Sequence, residues 1–443
     1  MWGLPAAGAL VFFAVVGAAA GREGRIEAAL DVCPVWSGHR VRFCLLTDGG
    51  RQYVAFYDAE RRMTVASREV DSDTWDFERL DSRVGWDSHN YVTMAADAEG
   101  YIHLSGNMHC VPLIYFRTRR PHDIQSFERV VGMVGREEKR CTYPKFIEGA
   151  EGELIFTYRD GGSGNGNQIY NVYDLKGRSW GRLLGEPLTD GGGLMNAYIV
   201  GPVRGPDGAF HICWVWRDTP DCSTNHDVSY ARSRDMVHWE TAAGEAVRLP
   251  ITIDTEGVIV DAVPVKGGMV NGNTKIGFDS KGRVVISFHK FDAEGKTQIY
   301  NARFEDGRWK IYRTSEWDYR WYFQGGGTIH FEISVSGVEV GEEGTLRQGY
   351  RHDKYGSGVW LLDEGTLGII GSGERRRQWP KGLGRAESDV AGMQVNWAAD
   401  AGRSGEAGVR YVLRWETLGV NRDRARDAAP EASMLRVYKL KDY

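Results

Sequence analysis

Beyond its first twenty residues this chain has no apolar run long enough to cross a bilayer, which excludes a polytopic membrane protein. Positive charge is not gathered anywhere: Lys+Arg 55 stand against Asp+Glu 60 for a net charge of -5, with no sustained basic run. The composition therefore argues against a nucleic-acid partner. Cysteine is scarce, and Cys33, Cys44, Cys110, Cys141, Cys213 and Cys222 lie mostly inside strand-like runs. That is no dense disulfide framework. Most read as buried thiols, and Cys33 with Cys44, or Cys110 with Cys141, remain pairs that sequence cannot settle. No proline-rich or low-complexity stretch marks a linker, so a single domain is expected.

What the chain does have is Gly 57, Trp 15 and Tyr 20, set among many short apolar runs. Numerous turns with β-preferring aromatics point to an all-β protein rather than a helical bundle. Residues 1–20, MWGLPAAGALVFFAVVGAAA, end in Ala18, Ala19 and Ala20 before Gly21, which suits cleavage of a signal peptide. The lack of Lys or Arg ahead of the apolar core leaves an uncleaved anchor as the alternative. The expected location is secreted or periplasmic, with no stable membrane span after cleavage.

Past the signal a unit recurs: a turn with Gly, an alternating strand, a polar corner, a second strand, then Trp. GGRQYVAFYDAERRMTVASREVDSDTW ends at Trp75, and later copies end at Trp180, Trp239 and Trp309. A repeat of about 50 to 70 residues matches propeller blades, and residues 21–443 then hold about seven of them. Two stacked β-sandwiches are the alternative. Gly402 to Ala432 is charged and poor in apolar residues apart from VRYVLRWETL, and its second half reads as a surface loop before a closing strand, MLRVYKL.

The stretch from Trp86 to Asn167 carries WDSHNYVTM, GNMH, CTYPKF and YRDGGSGNGN in succession. His89, His109, Tyr143 and Arg159 within it supply two imidazoles, a phenol and a guanidinium. A sugar uronate has an acidic C5 hydrogen only when its carboxylate charge is neutralised, and it then needs a base for that hydrogen and an acid for the leaving glycosidic oxygen. These residue types fit those jobs. A single histidine on a strand is more often a packed or surface residue; four such groups in series shift the balance toward chemistry. Asn90, Asn107 and Asn165 flank the set as candidates for sugar hydroxyls, with turn geometry as the alternative use. GGSGNGN is no phosphate cradle, since no Lys-Ser/Thr pair follows it.

The series WSGHRVRFCLLTD, YVAFYDAERRMTVASR, WDSHNYVTMAAD, GYIHLSGNMH, TYPKF, YRDGGSGNGN, WRDTPDCSTNHDVSYARS and HKFD resembles the BNR-repeat propeller family that contains ulvan lyases, rhamnose–glucuronate lyases and certain α-L-rhamnosidases. The resemblance is dense from Asp31 to Asp292 and thins beyond Gly325. It implies a seven-bladed β-propeller and β-elimination on a polysaccharide containing uronic acid and rhamnose. Carried over from the lyases, Arg159 neutralises the carboxylate, His89 is the C5 base, Tyr143 protonates the leaving oxygen and His109 assists. Carried over from the rhamnosidases, His39 in WSGH is the key residue of a hydrolase site on the opposite face, though Arg40 and Arg42 follow it here and could bind a uronate or obstruct it.

His211 and Cys213 occupy alternate positions of one expected strand, with Cys222 and His226 close behind and His289 in FHKFD further on. Mixed Cys and His ligands suit zinc, and some of the ulvan lyases resembled hold a structural zinc in this region. His211, Cys213 and His226 are therefore candidate ligands, against the alternative of a buried thiol with two hydrogen-bonded histidines. No organic cofactor is expected, and the expected partner is an anionic polysaccharide or oligosaccharide. A non-catalytic carbohydrate-binding propeller, stacking sugars on its many Trp and Tyr, is the reading from a different class.

Overall fold

The computed structural model describes residues 24–375, 379–402 and 404–441. The expected signal peptide lies outside the described residues. Among the described residues the chain is all-β, its only helices being 3₁₀ turns at Ile124–Ser126, Cys222–Thr224 and Lys381–Gly384. No described helix is long and apolar enough to cross a membrane. The six cysteines are free thiols.

The chain divides into two compact units. The first comprises Met1–Asp160, Tyr170–Leu183 and Arg376–Tyr443, the second Gly161–Ile169 and Leu184–Arg375. In the first, two four-stranded antiparallel meanders follow one another: Cys44–Asp48, Arg51–Tyr57, Arg62–Glu69 and Asp76–Arg83, then Val92–Ala96, Ile102–Gly106, Tyr115–Thr118 and Phe127–Val130. Cys141–Glu148 next pairs with Leu154–Gly162. A further sheet takes strands from both ends of the described chain. There Arg25–Val35 pairs with Ser433–Lys441, which pairs with Val409–Leu418, which pairs with Met393–Ala399.

Strand Arg51–Tyr57 reads RQYVAFY and is buried at every position after Arg51, so its polar Gln52 goes inside with the rest. That follows when a sheet is covered on both faces. Gln52 is satisfied there by accepting from Arg68 Nε at 2.9 Å and donating to Thr47 Oγ1 at 3.1 Å. Leu45, Phe56, Val65, Met94, Leu104, Leu413 and Val437 belong to the same buried cluster. Each such side chain contributes about 1.5–3 kcal/mol by leaving water.

The polar corner recurring in the sequence has a local cause. In DAERR, DAEGY, DSKGR and DAEGK an aspartate carboxylate accepts from the backbone N–H groups two and four residues on. Asp58 takes Glu60 and Arg62 at 2.9 Å, Asp97 takes Glu99 at 2.9 Å and Tyr101 at 3.0 Å, and Asp279 and Asp292 repeat the arrangement. The turn therefore forms from its own residues and starts the next strand.

The second unit holds three such meanders, starting at Asn196–Arg204, Lys275–Phe278 and Ile333–Val340. Gly161 opens its GGSGNGN turn at φ +100, where a Cβ would stand 2.0 Å from the Asn165 carbonyl oxygen, so only glycine fits. Strand Val284–Phe291 buries His289, whose Nδ1 bonds the Gly268 carbonyl at 2.8 Å. Burial pushes that imidazole from 6.5 down to about 3. The unfolded chain therefore binds a proton that the folded chain refuses between those values, so stability falls as pH drops through that window, by about 1.4 kcal/mol per pH unit for one proton. Denaturant titrations from pH 7 to pH 4 should show this slope, and His289→Gln should flatten it by one proton; an unchanged slope would refute the assignment.

Candidate active site

His89, His109, Tyr143 and Arg159 come together in the first unit, and a carboxylate absent from the expected set organises them. Asp87 lies in the loop WDSHN between strands Asp76–Arg83 and Val92–Ala96. Its Oδ1 accepts from the His89 backbone N–H at 2.9 Å and from His89 Nδ1 at 2.6 Å, while Oδ2 accepts from His109 Nδ1 at 2.5 Å. Burial works against charging this carboxyl, but the hydrogen bonds from His109 and His89 outweigh it and hold it well below the usual carboxylate range. An ionised carboxylate has no proton to give, so both rings must donate from Nδ1. A ring in its neutral form then carries its lone pair on Nε2, the position a base needs. Among the described residues Asp87, His89 and His109 form the one grouping of His, Cys, Asp or Glu compact enough for a metal ion.

The two imidazoles stack at 4.1 Å between centroids, and the Tyr143 ring sits 5.5 Å from His89. Tyr143 takes φ 59, an uncommon left-handed conformation for an aromatic residue, at a register shift in Cys141–Glu148. That irregularity breaks the strand's alternation where the phenol is needed. Arg159, one strand over and opposite Thr142, is 1% exposed and lies 4.9 Å over the Tyr143 ring. Its Nη2 donates to Thr142 Oγ1 at 3.2 Å and to Cys110 Sγ at 3.5 Å. The guanidinium thus forms a floor beneath the phenol, while the histidine side chains keep 18% and 30% of their surface in solvent.

A second carboxylate arrives from the loop read in the sequence as a bare surface segment. Asp423 Oδ1 accepts from the Ser88 N–H at 3.0 Å and from Ser88 Oγ at 2.7 Å, and its Oδ2 lies 3.6 Å from His89 Nδ1. Arg422 and Asp423 are both left-handed, at φ 54 and 58, and this turns the loop toward the site. Asp87 had a local signal in its Asp-x-His turn. Asp423, 335 residues from Ser88, had none.

The asparagines divide. Asn107 donates through Nδ2 to Ser82 Oγ at 2.8 Å and to the Arg83 carbonyl at 3.0 Å, and Asn165 accepts from the Gly162 N–H at 3.1 Å within its own turn. One end of each amide is thus committed, Nδ2 of Asn107 and Oδ1 of Asn165. Asn90 gives its backbone to Tyr57 and Asp87.

His39 does not sit apart from this site. Its ring is 2% exposed, accepts at Nδ1 from Trp36 Nε1 at 2.9 Å, and lies 5.8 Å from the ring of Trp86, the residue next to Asp87. Burial lowers its pKa, which keeps the ring neutral. The imidazole thus packs behind the Asp87 loop, close to the other candidate residues.

The zinc set is also corrected. His211 pairs across the sheet with Arg232, whereas His226 pairs with Trp216, five positions along the strand, about 16 Å at the usual rise. His211 spends both ring nitrogens on Tyr230 and Asp207, and His226 spends both on Asp227 and Asp218. Burial raises the Cys213 thiol to about 12.

Comparison with known proteins agrees with this architecture. An ulvan lyase, short isoform, of Alteromonas sp. (strain LOR) is 30% identical over 129 residues, 26% of this chain and 24% of that protein. The chain thus matches about a quarter of that relative's length. A solved structure of an ulvan lyase, described as a new family of polysaccharide lyase, superimposes with a TM-score of 0.58 at 14% identity, covering 93% of this chain and 95% of that one. The same holds for its complex with -[GlcA(1-4)Rha3S]-. Polysaccharide lyase Uly1 gives a TM-score of 0.59 at 12% identity, covering 94% of this chain and 99% of that one. The fold is therefore shared with these lyases. Because the BNR repeat-containing family model matches residues 51–317, more than half of the sequence, the chain is a member of that family.

Proposed function

We propose that the protein is a secreted polysaccharide lyase that cleaves a uronate-containing, rhamnose-bearing polysaccharide by β-elimination. The observation that carries this reading is the pair of Nε2 lone pairs, set by Asp87, beside a phenol that rests on the buried Arg159 guanidinium. His89 Nε2 takes the C5 proton, the C5–H electron pair becomes the C4–C5 double bond, and the C4–O bond breaks as Tyr143 protonates the departing oxygen. Imidazolium and phenolate remain, and with the two rings 5.5 Å apart a proton passing back through solvent restores both. Arg159 stabilises the negative charge that builds on the uronate and on the phenol. His109, sharing Asp87 and stacked on His89, spreads the imidazolium charge and fixes the ring. The reaction uses no organic cofactor.

Similarity to ulvan lyases, one of them bound to -[GlcA(1-4)Rha3S]-, supports a sulfated rhamnose–uronate polymer as substrate. Five four-stranded sheets, with an eleven-stranded sheet that reads as two further meanders, support seven blades. The apolar residues 1–20 support export. Incubation with such a polymer should produce the ultraviolet absorbance of a C4–C5 unsaturated uronate. Free rhamnose without that absorbance would instead mean hydrolysis, and sink the proposal.

A further inference from the structure

Asp87 is the meeting point of both histidine rings, and this convergence suits more than the holding of their protons. His89 Nδ1 lies 2.6 Å from Oδ1 and His109 Nδ1 lies 2.5 Å from Oδ2, so two imidazoles stacked at 4.1 Å turn the same nitrogen toward one carboxylate. One ligand atom from each of the three residues falls within 4.8 Å of the other two, a spacing that a single ion spans. A second carboxylate stands close by, with Asp423 Oδ2 3.6 Å from His89 Nδ1. Solvent reaches the group, since all three side chains are partly exposed.

Two imidazoles and a carboxylate make a nitrogen and oxygen set of the kind preferred by zinc and its neighbours among the divalent transition metals, whereas magnesium and calcium take oxygen ligands. Around a tetrahedral zinc, with bonds of about 2.0–2.1 Å, such ligands stand about 3.3 Å apart. The carboxylate has therefore to draw back from each ring by roughly 0.7 Å as the ion replaces the two Nδ1 protons. Asp87 lies in a loop, where so small a shift breaks no strand pairing, and the charges of Asp87 and Asp423 both attract the cation. Coordination has a consequence for the proton positions. A neutral ring whose Nδ1 holds the metal carries its proton on Nε2. The Nδ1 proton passes to solvent and one from solvent enters at Nε2, so the ring keeps its charge and loses the lone pair that takes the C5 proton. Because one ion ligates both rings, both change together.

We propose that Asp87, His89 and His109 form an inhibitory site for a divalent transition-metal ion, zinc foremost, which turns off elimination by reversing the tautomer of both rings. The ion site stands on the geometry of the three side chains, and the inhibition rests on reading them as part of a uronate lyase. Activity then depends on the transition-metal content of the surroundings and is indifferent to calcium and magnesium.

Competition for zinc between a chromophoric chelator and the metal-stripped full chain tests the site, and it is run without substrate because an anionic polymer binds zinc itself. Wild type should take up one zinc that calcium and magnesium do not displace, and cobalt in its place should show the visible bands of a tetrahedral site. Asp87→Asn and His109→Gln should each weaken zinc binding at least about tenfold. His238→Gln, which removes an exposed histidine paired with Asp235, should leave it unchanged. Thermal melts establish that each variant is folded. In the lyase assay one equivalent of zinc should suppress unsaturated product about a hundredfold or more, the usual loss when a general base is removed, and a chelator should restore it. A wild type that takes up no stoichiometric zinc overturns the proposal, as do folded Asp87→Asn and His109→Gln proteins that bind it like wild type. So does a zinc-loaded protein as active as the stripped one, or a protein active only when loaded. If neither form makes unsaturated product while the titration finds the site, the lyase reading fails and the inhibition with it, and the ion site stands.

Discussion

Arg159→Ala should cut the formation of unsaturated product by about two to three orders of magnitude, the usual loss when a charge aimed at a developing anion is removed. The large effect follows from position. A guanidinium that is 1% exposed acts through a medium far less polarisable than water, so its charge reaches the phenol and the uronate with little screening. Arg159→Lys should restore only part of the rate. A single ammonium cannot at once bond Thr142 Oγ1, reach Cys110 Sγ and lie flat over Tyr143. Thermal melts must accompany the assay, because removing a buried hydrogen-bonded group also lowers stability. A folded Arg159→Ala protein within tenfold of the wild-type rate would remove this residue from the mechanism.

Asp87→Asn should be more damaging still, by about three to four orders of magnitude, since an amide in place of a carboxylate that orients histidine leaves the ring in the wrong tautomer. Asparagine has one acceptor oxygen where Asp87 uses two, so at most one ring keeps its Nδ1–H bond. The other ring meets an N–H donor, moves its proton to Nε2 and ceases to be a base. The shape of the side chain hardly changes, which separates this outcome from a packing defect. Steady-state rates across pH should show the loss at every pH, with the melting temperature close to wild type. Retention of more than a tenth of the activity would mean that Asp87 is not what sets the proton positions.

Much of this site was legible in the sequence because its side chains sit on successive strands and the loops before them. WDSHNYV, GNMH and CTYPKF announce a loop or strand start each time, and chain order delivers neighbouring strands to neighbouring places. Asp87 stands inside the first motif, but its signal is weak, because a carboxylate two residues before a histidine is common in turns. Asp423 could not have been found, since its partnership depends on a loop following Leu418 that shows no pattern of its own. The zinc reading failed for a geometric reason. His211 and His226 are close in number, but a hairpin returns His226 to the far end of the strand from His211. The depth of His39 was not legible, because a motif conveys residue type and order only, and its ring lies between Trp36 and Trp86.

The sheet that pairs Arg25–Val35 with Ser433–Lys441 also sets a timetable for synthesis. Asp31 meets Arg436 across 405 residues, and closing a flexible loop of that length costs about 5 kcal/mol of chain entropy before any contact repays it. As the polypeptide emerges, Arg25–Val35 therefore waits for its partner until Ser433–Lys441 has been made. The second unit comes mostly from the continuous stretch Leu184–Arg375 and can finish earlier. Between the synthesis of these two strands Arg25–Val35 is an open edge, exposed to any other chain with a matching edge, and this period of vulnerability ends when Ser433–Lys441 arrives.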